Sequence, residues 1–133
     1  MTKGKQGTAD HDTTLHELKQ LVARFRDERD WAKHHSPKNL AVSIAIEAAE
    51  LMELFQWDDY TKRDEQKVAD ELADIMIYCM NFADTMDIDV ATVFKDKLAR
   101  AAKKYPVELF NKDTDKAEDY DRAKQAYRGK SAS

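Results

Sequence analysis

Two pairs of carboxylates, Glu47-x-x-Glu50 and Glu71-x-x-Asp74, are the residues of this chain best placed to do chemistry. Positions three apart on a helix lie one turn apart on nearly the same face, so each pair can aim two carboxylates at one point. Two such helices packed together surround a small cavity with four hard oxygen donors, a set that suits Mg2+. Most single pairs of this spacing are only solvated surface. Here Glu47 falls inside an apolar stripe, Leu40, Ile44, Glu47, Leu51 and Leu54. A charge in such a seam is costly unless it is paired or bound to a cation. Glu47, Glu50, Glu71 and Asp74 are therefore the candidate metal ligands and catalytic residues. The leading reading is metal-assisted phosphate chemistry, with a carboxylate orienting or deprotonating the attacking water. Spacing does not single out the base; Glu50 is the working choice. Glu53 and Asp70, also acidic and nearby, are read as acids that either support the ligands from behind or lie on the surface.

Aromatic residues bracket the acids. Trp31 and Trp57 stand near the ends of the first two helical segments, and Tyr78 lies one turn after Asp74. A flat ring on a nucleobase contributes about 1–3 kcal/mol, although each of these rings could equally fill a bundle end. The stretch His35-Ser36-Pro37-Lys38-Asn39 supplies donors for phosphate, sugar or base, with His35, Lys38 and Asn39 as the candidates. Lys97 and Lys104, with Lys103, could reach phosphate, against the ordinary role of lysines at a helix C-terminus, which is to oppose the helix dipole.

These side chains need helices to hold them, and the hydrophobic periodicity supplies four. The first spans about 12–33 on Leu15, Leu18, Leu21, Val22 and Phe25. The second spans about 38–57, with Pro37 at its start. The third spans about 65–86 on Val68, Leu72, Ile75, Cys79, Phe82 and Met86, with Glu71, Asp74 and Tyr78 along its border. The fourth spans about 90–104, with Val90, Val93, Phe94, Leu98 and Ala101 facing inward. The expected architecture is an all-α four-helix bundle forming one domain over 12–107. A flexible tail over 1–11 precedes it, and a charged, partly helical extension over 108–133 follows, with a short helix near 115–127. Residues 58–64 read as a polar connection. Met76, Ile77 and Met80 remain as spare apolar surface for another subunit.

Composition narrows the class further. Three glycines and two prolines are too few for the many turns of a sandwich or barrel. A net charge of -4 argues against polymeric nucleic acid as a partner. The single cysteine, Cys79, rules out an internal disulfide and a Cys-rich zinc site and reads as a packed thiol. No apolar run reaches the ~20 residues of a membrane span, and no secretion signal is evident, so a cytoplasmic location is expected.

Several segments together carry a resemblance. They are Phe25-Arg26-Asp27-Glu28-Arg29-Asp30-Trp31, Pro37-Lys38-Asn39-Leu40, Glu47 to Trp57, Asp70 to Tyr78, and Lys104-Tyr105-Pro106. Over about 15–107 the chain resembles the all-α nucleoside triphosphate pyrophosphohydrolases of the MazG-like superfamily, nearest to the dCTP pyrophosphatase branch. The resemblance implies that Glu47, Glu50, Glu71 and Asp74 bind Mg2+. It implies that Trp31, Trp57 and Tyr78 contact the nucleotide, with Asp74 near the sugar or base as well. It implies cleavage of a (deoxy)nucleoside triphosphate between the α and β phosphates, which clears unwanted nucleotides from the pool, and assembly as a homodimer or homotetramer. Val22 stands where close relatives carry His, and Ala101 where many carry Asn, so base preference stays open. Two other readings remain beside it: a nucleotide-binding regulatory bundle without turnover, and an interaction bundle in which Glu47 only fixes helix register.

Overall fold

The computed structural model describes residues 6–57, 65–113 and 117–131, and among these every regular element is helical. The elements are α1 (Gln6–Asp12), α2 (Leu15–Glu28), a 3-10 turn (Ala32–His34), α3 (Pro37–Glu53), α4 (Glu65–Thr85), α5 (Val90–Lys104) and α6 (Ala117–Ser131). Two compact units divide the chain, Met1–Asp89 and Val90–Ser133. The domain expected over 12–107 spans parts of both. The expected connection over 58–64 lies outside the described residues. No helix of the described residues is long and apolar enough to cross a membrane.

In the first unit α2 and α3 start where side chains satisfy free backbone donors. Thr14 caps α2: Glu17 N–H donates to Thr14 Oγ1 at 3.1 Å, and Thr14 N–H donates to Glu17 Oε2 at 3.1 Å. That reciprocal pair satisfies two donors at once. Ser36 Oγ accepts Asn39 N–H at 3.1 Å ahead of α3, with Pro37 in its first turn. In the segment read as a tail, Gln6–Asp12 forms α1, which Thr13 N–H prolongs by donating to Ala9 O at 2.8 Å.

The first long helix ends at Glu28 and not near residue 33. Asp30 takes the left-handed conformation, φ 53°, while Trp31 N–H donates to Arg26 O and Asp30 N–H to Asp27 O, both at 3.1 Å. This pair of bonds is the Schellman closure, usually built on glycine. An aspartate tolerates the conformation, so no glycine announces the stop. The same closure ends α4, where Asp87 has φ 52° and Ile88 N–H donates to Ala83 O at 2.8 Å. α3 is likewise shorter than 38–57, giving way after Glu53 to tighter turns in which Leu54, Phe55 and Gln56 each bond three residues back.

α4 packs on both α3 and α2, and its placement differs from a simple border stripe. Leu72 is 51% exposed and Met86 is also exposed, whereas Met80, expected as spare outer surface, is buried with Ala83 and Asn81. With two neighbours, the packed side of α4 is broader than one stripe and swings toward α2 near its C-terminal end. Two polar contacts fix that end: Arg26 Nη1 to Asp84 Oδ2 and Lys19 Nζ to Ile88 O, both 2.7 Å. The apolar core is small. Leu40, 1% exposed, is its largest fully buried side chain.

In the second unit α5 packs on α6, which runs further than the expected 115–127. Tyr120 stacks on Tyr105 at 5.2 Å and 4°, and Lys104 Nζ lies 4.7 Å from the centre of the Tyr127 ring. The face of α5 expected to point inward is largely open: Val93, Phe94 and Leu98 are all exposed. A helix pair has only one inner seam, and it cannot cover the whole stripe.

Candidate metal centre and adjoining pocket

α3 and α4 lie against each other with their acidic turns in register. One carboxylate oxygen from each of Glu47, Glu71 and Asp74 lies within 4.8 Å of the others. Glu47 and Glu71 are half-buried, Asp74 is exposed, and an oxygen of each of the first two, Oε2, is buried with no hydrogen-bond partner. Burial pushes the Glu47 carboxyl up from 4.5 to about 7, helped by a hydrogen bond with Glu50 and by the charges of Glu50, Asp74 and Glu71. Glu71 is raised for the same reasons, burial first, then repulsion from Glu50 and Asp74. Glu50 thus joins the electrostatics of the group while standing outside the tight trio. Crowded carboxylates with orphaned oxygens require either protons or a cation. All the donors are hard oxygens, so the residues fit a divalent cation of the oxygen-preferring class.

Beside this trio a pocket of about 390 Å3 opens between α2, the 3-10 turn region and α4. Its walls are Leu21, Val22, Phe25, Arg26, Trp31, His35, Asp74, Ile77, Tyr78 and Asn81. The α2 closure makes this geometry, because it turns Trp31 back so that its ring meets Phe25 edge-on at 5.6 Å and 73°. Arg29 covers the Phe25 ring at 3.7 Å. Arg26 is held in the wall by Asp27 and Asp84, which raise its already high pKa. His35 is held below the usual imidazole range by burial and by the nearby charges of Arg26 and His34, so it is neutral near pH 7. Asp74 belongs to both sites.

The structure gathers some of the expected site residues and leaves others apart. Glu47, Glu71 and Asp74 form the acid trio with Glu50 bonded to Glu47. Trp31, His35 and Tyr78 join Asp74 in the pocket. Trp57 does not line it and is 86% exposed. Lys38 is exposed on the first turn of α3. Asn39 is engaged locally, its Nδ2 donating to His34 O at 3.2 Å and its N–H to Ser36 Oγ. Lys97 and Lys104 belong to the second unit, over the Tyr127 ring at 5.8 and 4.7 Å. Asp70 accepts an exposed hydrogen bond from Gln66 Nε2 at 2.8 Å. Cys79 is a half-buried free thiol whose pKa burial raises. Arg26 and Asn81 were not anticipated as site residues. Asn81 had a readable signal: it follows Asp74 and Tyr78 at steps of four and three, on the same helix face.

Known proteins share this arrangement of sequence. The dCTP pyrophosphatase 1 of Bos taurus is 33% identical over 106 residues, covering 74% of this chain and 63% of that protein. The dCTP pyrophosphatase 1 of Homo sapiens is 31% identical, over 74% of this chain and 62% of that protein. The chain thus spans less than two thirds of the length of these curated relatives. A crystal structure of a pyrophosphatase from Archaeoglobus fulgidus aligns with a TM-score of 0.65 and 40% identity, covering 69% of this chain and 92% of that one. Residues 42–120, which contain all four acids, match the MazG-like family. The chain belongs to the MazG-like family.

Proposed function

We propose that this protein is a Mg2+-dependent nucleoside triphosphate pyrophosphohydrolase. It hydrolyses (deoxy)nucleoside triphosphates, dCTP or related dNTPs among them, to the monophosphate and pyrophosphate. The observation that carries this reading is Asp74, which lines the apolar pocket and also belongs to the acid trio. A substrate with an aromatic base at one end and a polyanion at the other matches that juxtaposition. The relatives named as dCTP pyrophosphatases and the pyrophosphatase structure support the same reaction class.

Glu47, Glu71 and Asp74, with Glu50, would hold the cation. When bound, Mg2+ neutralises phosphate charge and polarises phosphorus toward attack. The protein's own residues do the rest. Trp31 and Phe25 form an aromatic wall for the base, with Tyr78 facing the same space. Asp74 sits where base site and phosphate site meet. A carboxylate of the group would orient the attacking water and take its proton, and Glu50, bonded to Glu47 but outside the tight trio, remains the working choice. Neutral His35 adds a hydrogen-bonding group to the pocket without adding charge.

The open apolar residues of the first unit, Leu72, Met76 and Ile77, support self-association as a homodimer or homotetramer. The substrate class supports a cytoplasmic site of action. The deciding experiment is a panel of dNTPs and NTPs with Mg2+, read as pyrophosphate released and not orthophosphate. No release from any member, with Glu71→Gln indistinguishable from the parent, sinks the proposal. Mg2+-dependent binding without product would establish the regulatory reading instead.

A further inference from the structure

The pocket wall carries side chains that the fold leaves unsatisfied, Asn81 foremost. Asn81 is 5% exposed, its Oδ1 has no hydrogen-bond partner, and it faces a cavity whose other walls are mostly apolar or aromatic. A buried acceptor left unpaired costs about 1–3 kcal/mol, and an apolar side chain of similar shape avoids that cost. His35 Nδ1, in the same pocket, is a second buried atom without a partner. Two unmet polar atoms in one apolar cavity call for a ligand with polar groups on its edge.

Register along α4 says which part of the ligand that is. Asp74, Tyr78 and Asn81 share a face, and Asn81 lies seven residues beyond Asp74, or about 10 Å along the helix axis. A nucleotide whose phosphates lie at the acid trio and whose ring packs near Tyr78 presents its base edge to Asn81.

We propose that Asn81 is a specificity-determining residue that reads the base, its Oδ1 accepting a hydrogen bond from an exocyclic amine. The preferred substrates are then amino-bearing bases, cytosine or adenine, over bases with a carbonyl at that position, such as uracil. The inference rests on the nucleotide reading of the pocket. A carbonyl base sets oxygen against oxygen there unless the amide turns over, while an amine satisfies Asn81 as it stands.

Cytosine and uracil nucleotides differ at this edge and little elsewhere, which makes them the natural probes. The parent protein is expected to favour dCTP over dUTP by about 10- to 100-fold in kcat/KM, the worth of one buried hydrogen bond made or missed. Asn81→Leu is expected to bring that ratio to within about threefold, mainly through the KM for dCTP, while its Tm without ligand equals or exceeds the parent's. Asn81→Ala serves as the second variant should the leucine fail to fold. Thermal shifts with dCMP and dUMP read the same discrimination without turnover. A parent with no preference, or a variant that keeps it, overturns the role of Asn81. A variant with lower Tm and an unchanged ratio marks the amide as structural and overturns it too. Discrimination of dCMP from dUMP with no pyrophosphate from any triphosphate overturns the proposed reaction while leaving Asn81 as the base reader. Turnover without discrimination does the reverse.

Discussion

Glu47→Gln tests whether the acid cluster is built around a cation. In the metal-free fold the Glu47 carboxyl binds its proton with a pKa of about 7, against 4.5 for the free group. Proton binding therefore favours the folded state. The contribution is complete below pH 4.5, declines as pH rises, and is gone once pH passes about 7. A displacement from 4.5 to about 7 corresponds to at most about 3 kcal/mol. Glu47 is only half-buried, and solvent screening leaves on the order of 1–2 kcal/mol. For a chain of 133 residues the unfolding entropy is about 0.28 kcal/mol per kelvin, so the parent in EDTA should lose roughly 4–7 °C of Tm between pH 5 and pH 8. Glutamine keeps the shape and removes the charge. The variant should match the parent at pH 5, exceed it by several degrees at pH 8, and retain a shallow slope from Glu71, which is raised in the same direction. Mg2+ should reverse the order. At a hundred times its Kd it adds about 2.7 kcal/mol to the parent, roughly 10 °C, and much less to the variant. Melting curves by fluorescence or circular dichroism at four pH values, with EDTA or Mg2+, give every quantity needed. A parent whose Tm in EDTA rises from pH 5 to pH 8 would refute the reasoning. So would a variant less stable than the parent at pH 8 in EDTA, or equal Mg2+ stabilisation of both.

Other perturbations probe the fold and the pocket. Leu40→Ala removes the one large side chain that is fully buried among the described residues, so denaturant melts should show a loss of about 2.5–4 kcal/mol; a loss below about 1 kcal/mol would mean that the small core is not what holds α3. Asp87→Gly relieves a left-handed aspartate that also places a negative charge at the C-terminal end of α4, and should raise stability by about 0.5–1 kcal/mol in the same assay. Trp31→Ala should raise the KM for a triphosphate by about 5- to 100-fold with little change in kcat, because in the proposed reading its ring faces the base and not the phosphates; a loss confined to kcat contradicts that placement. Asp84→Asn cuts the 2.7 Å bond to Arg26 that joins α2 to α4, on a side chain 45% exposed, and should cost about 0.5–1 kcal/mol with a modest rise in KM from the loosened wall.

The parts of this molecule that could be read in the sequence are those where one local rule decides. Periodicity located α3, α4 and α5, and the step of Glu47 within an apolar stripe singled it out before its surroundings were known. The structure gives a reason that the spacing could only suggest, a buried Oε2 with no partner. The parts that could not be read are those where the deciding residue is ambiguous or distant. Asp30 and Asp87 end helices in a conformation that sequence rules assign to glycine, so periodicity carries the first helix several residues too far and Trp31 with it. That error concealed the pocket, because only a chain turned at Asp30 brings Trp31 back against Phe25. Leu72 and Met80 exchanged roles because α4 has two neighbours, and no pattern within one helix reports the second. Asn81 shows the difference most clearly. In sequence it is a polar residue between Met80 and Phe82, whose register places it on the face of Asp74 and Tyr78 without saying what that face meets. Its meaning arises only when α2 closes over that face and leaves its oxygen in an apolar wall with nothing to accept. Glu47 and Asn81 are the same kind of signal, a polar group the fold alone does not satisfy, one beside the acids and one beside the aromatics. The acids call for a cation and Asn81 for a hydrogen-bond donor, and the proposed substrate, a cation-bound polyphosphate carrying an amino-bearing ring, answers both.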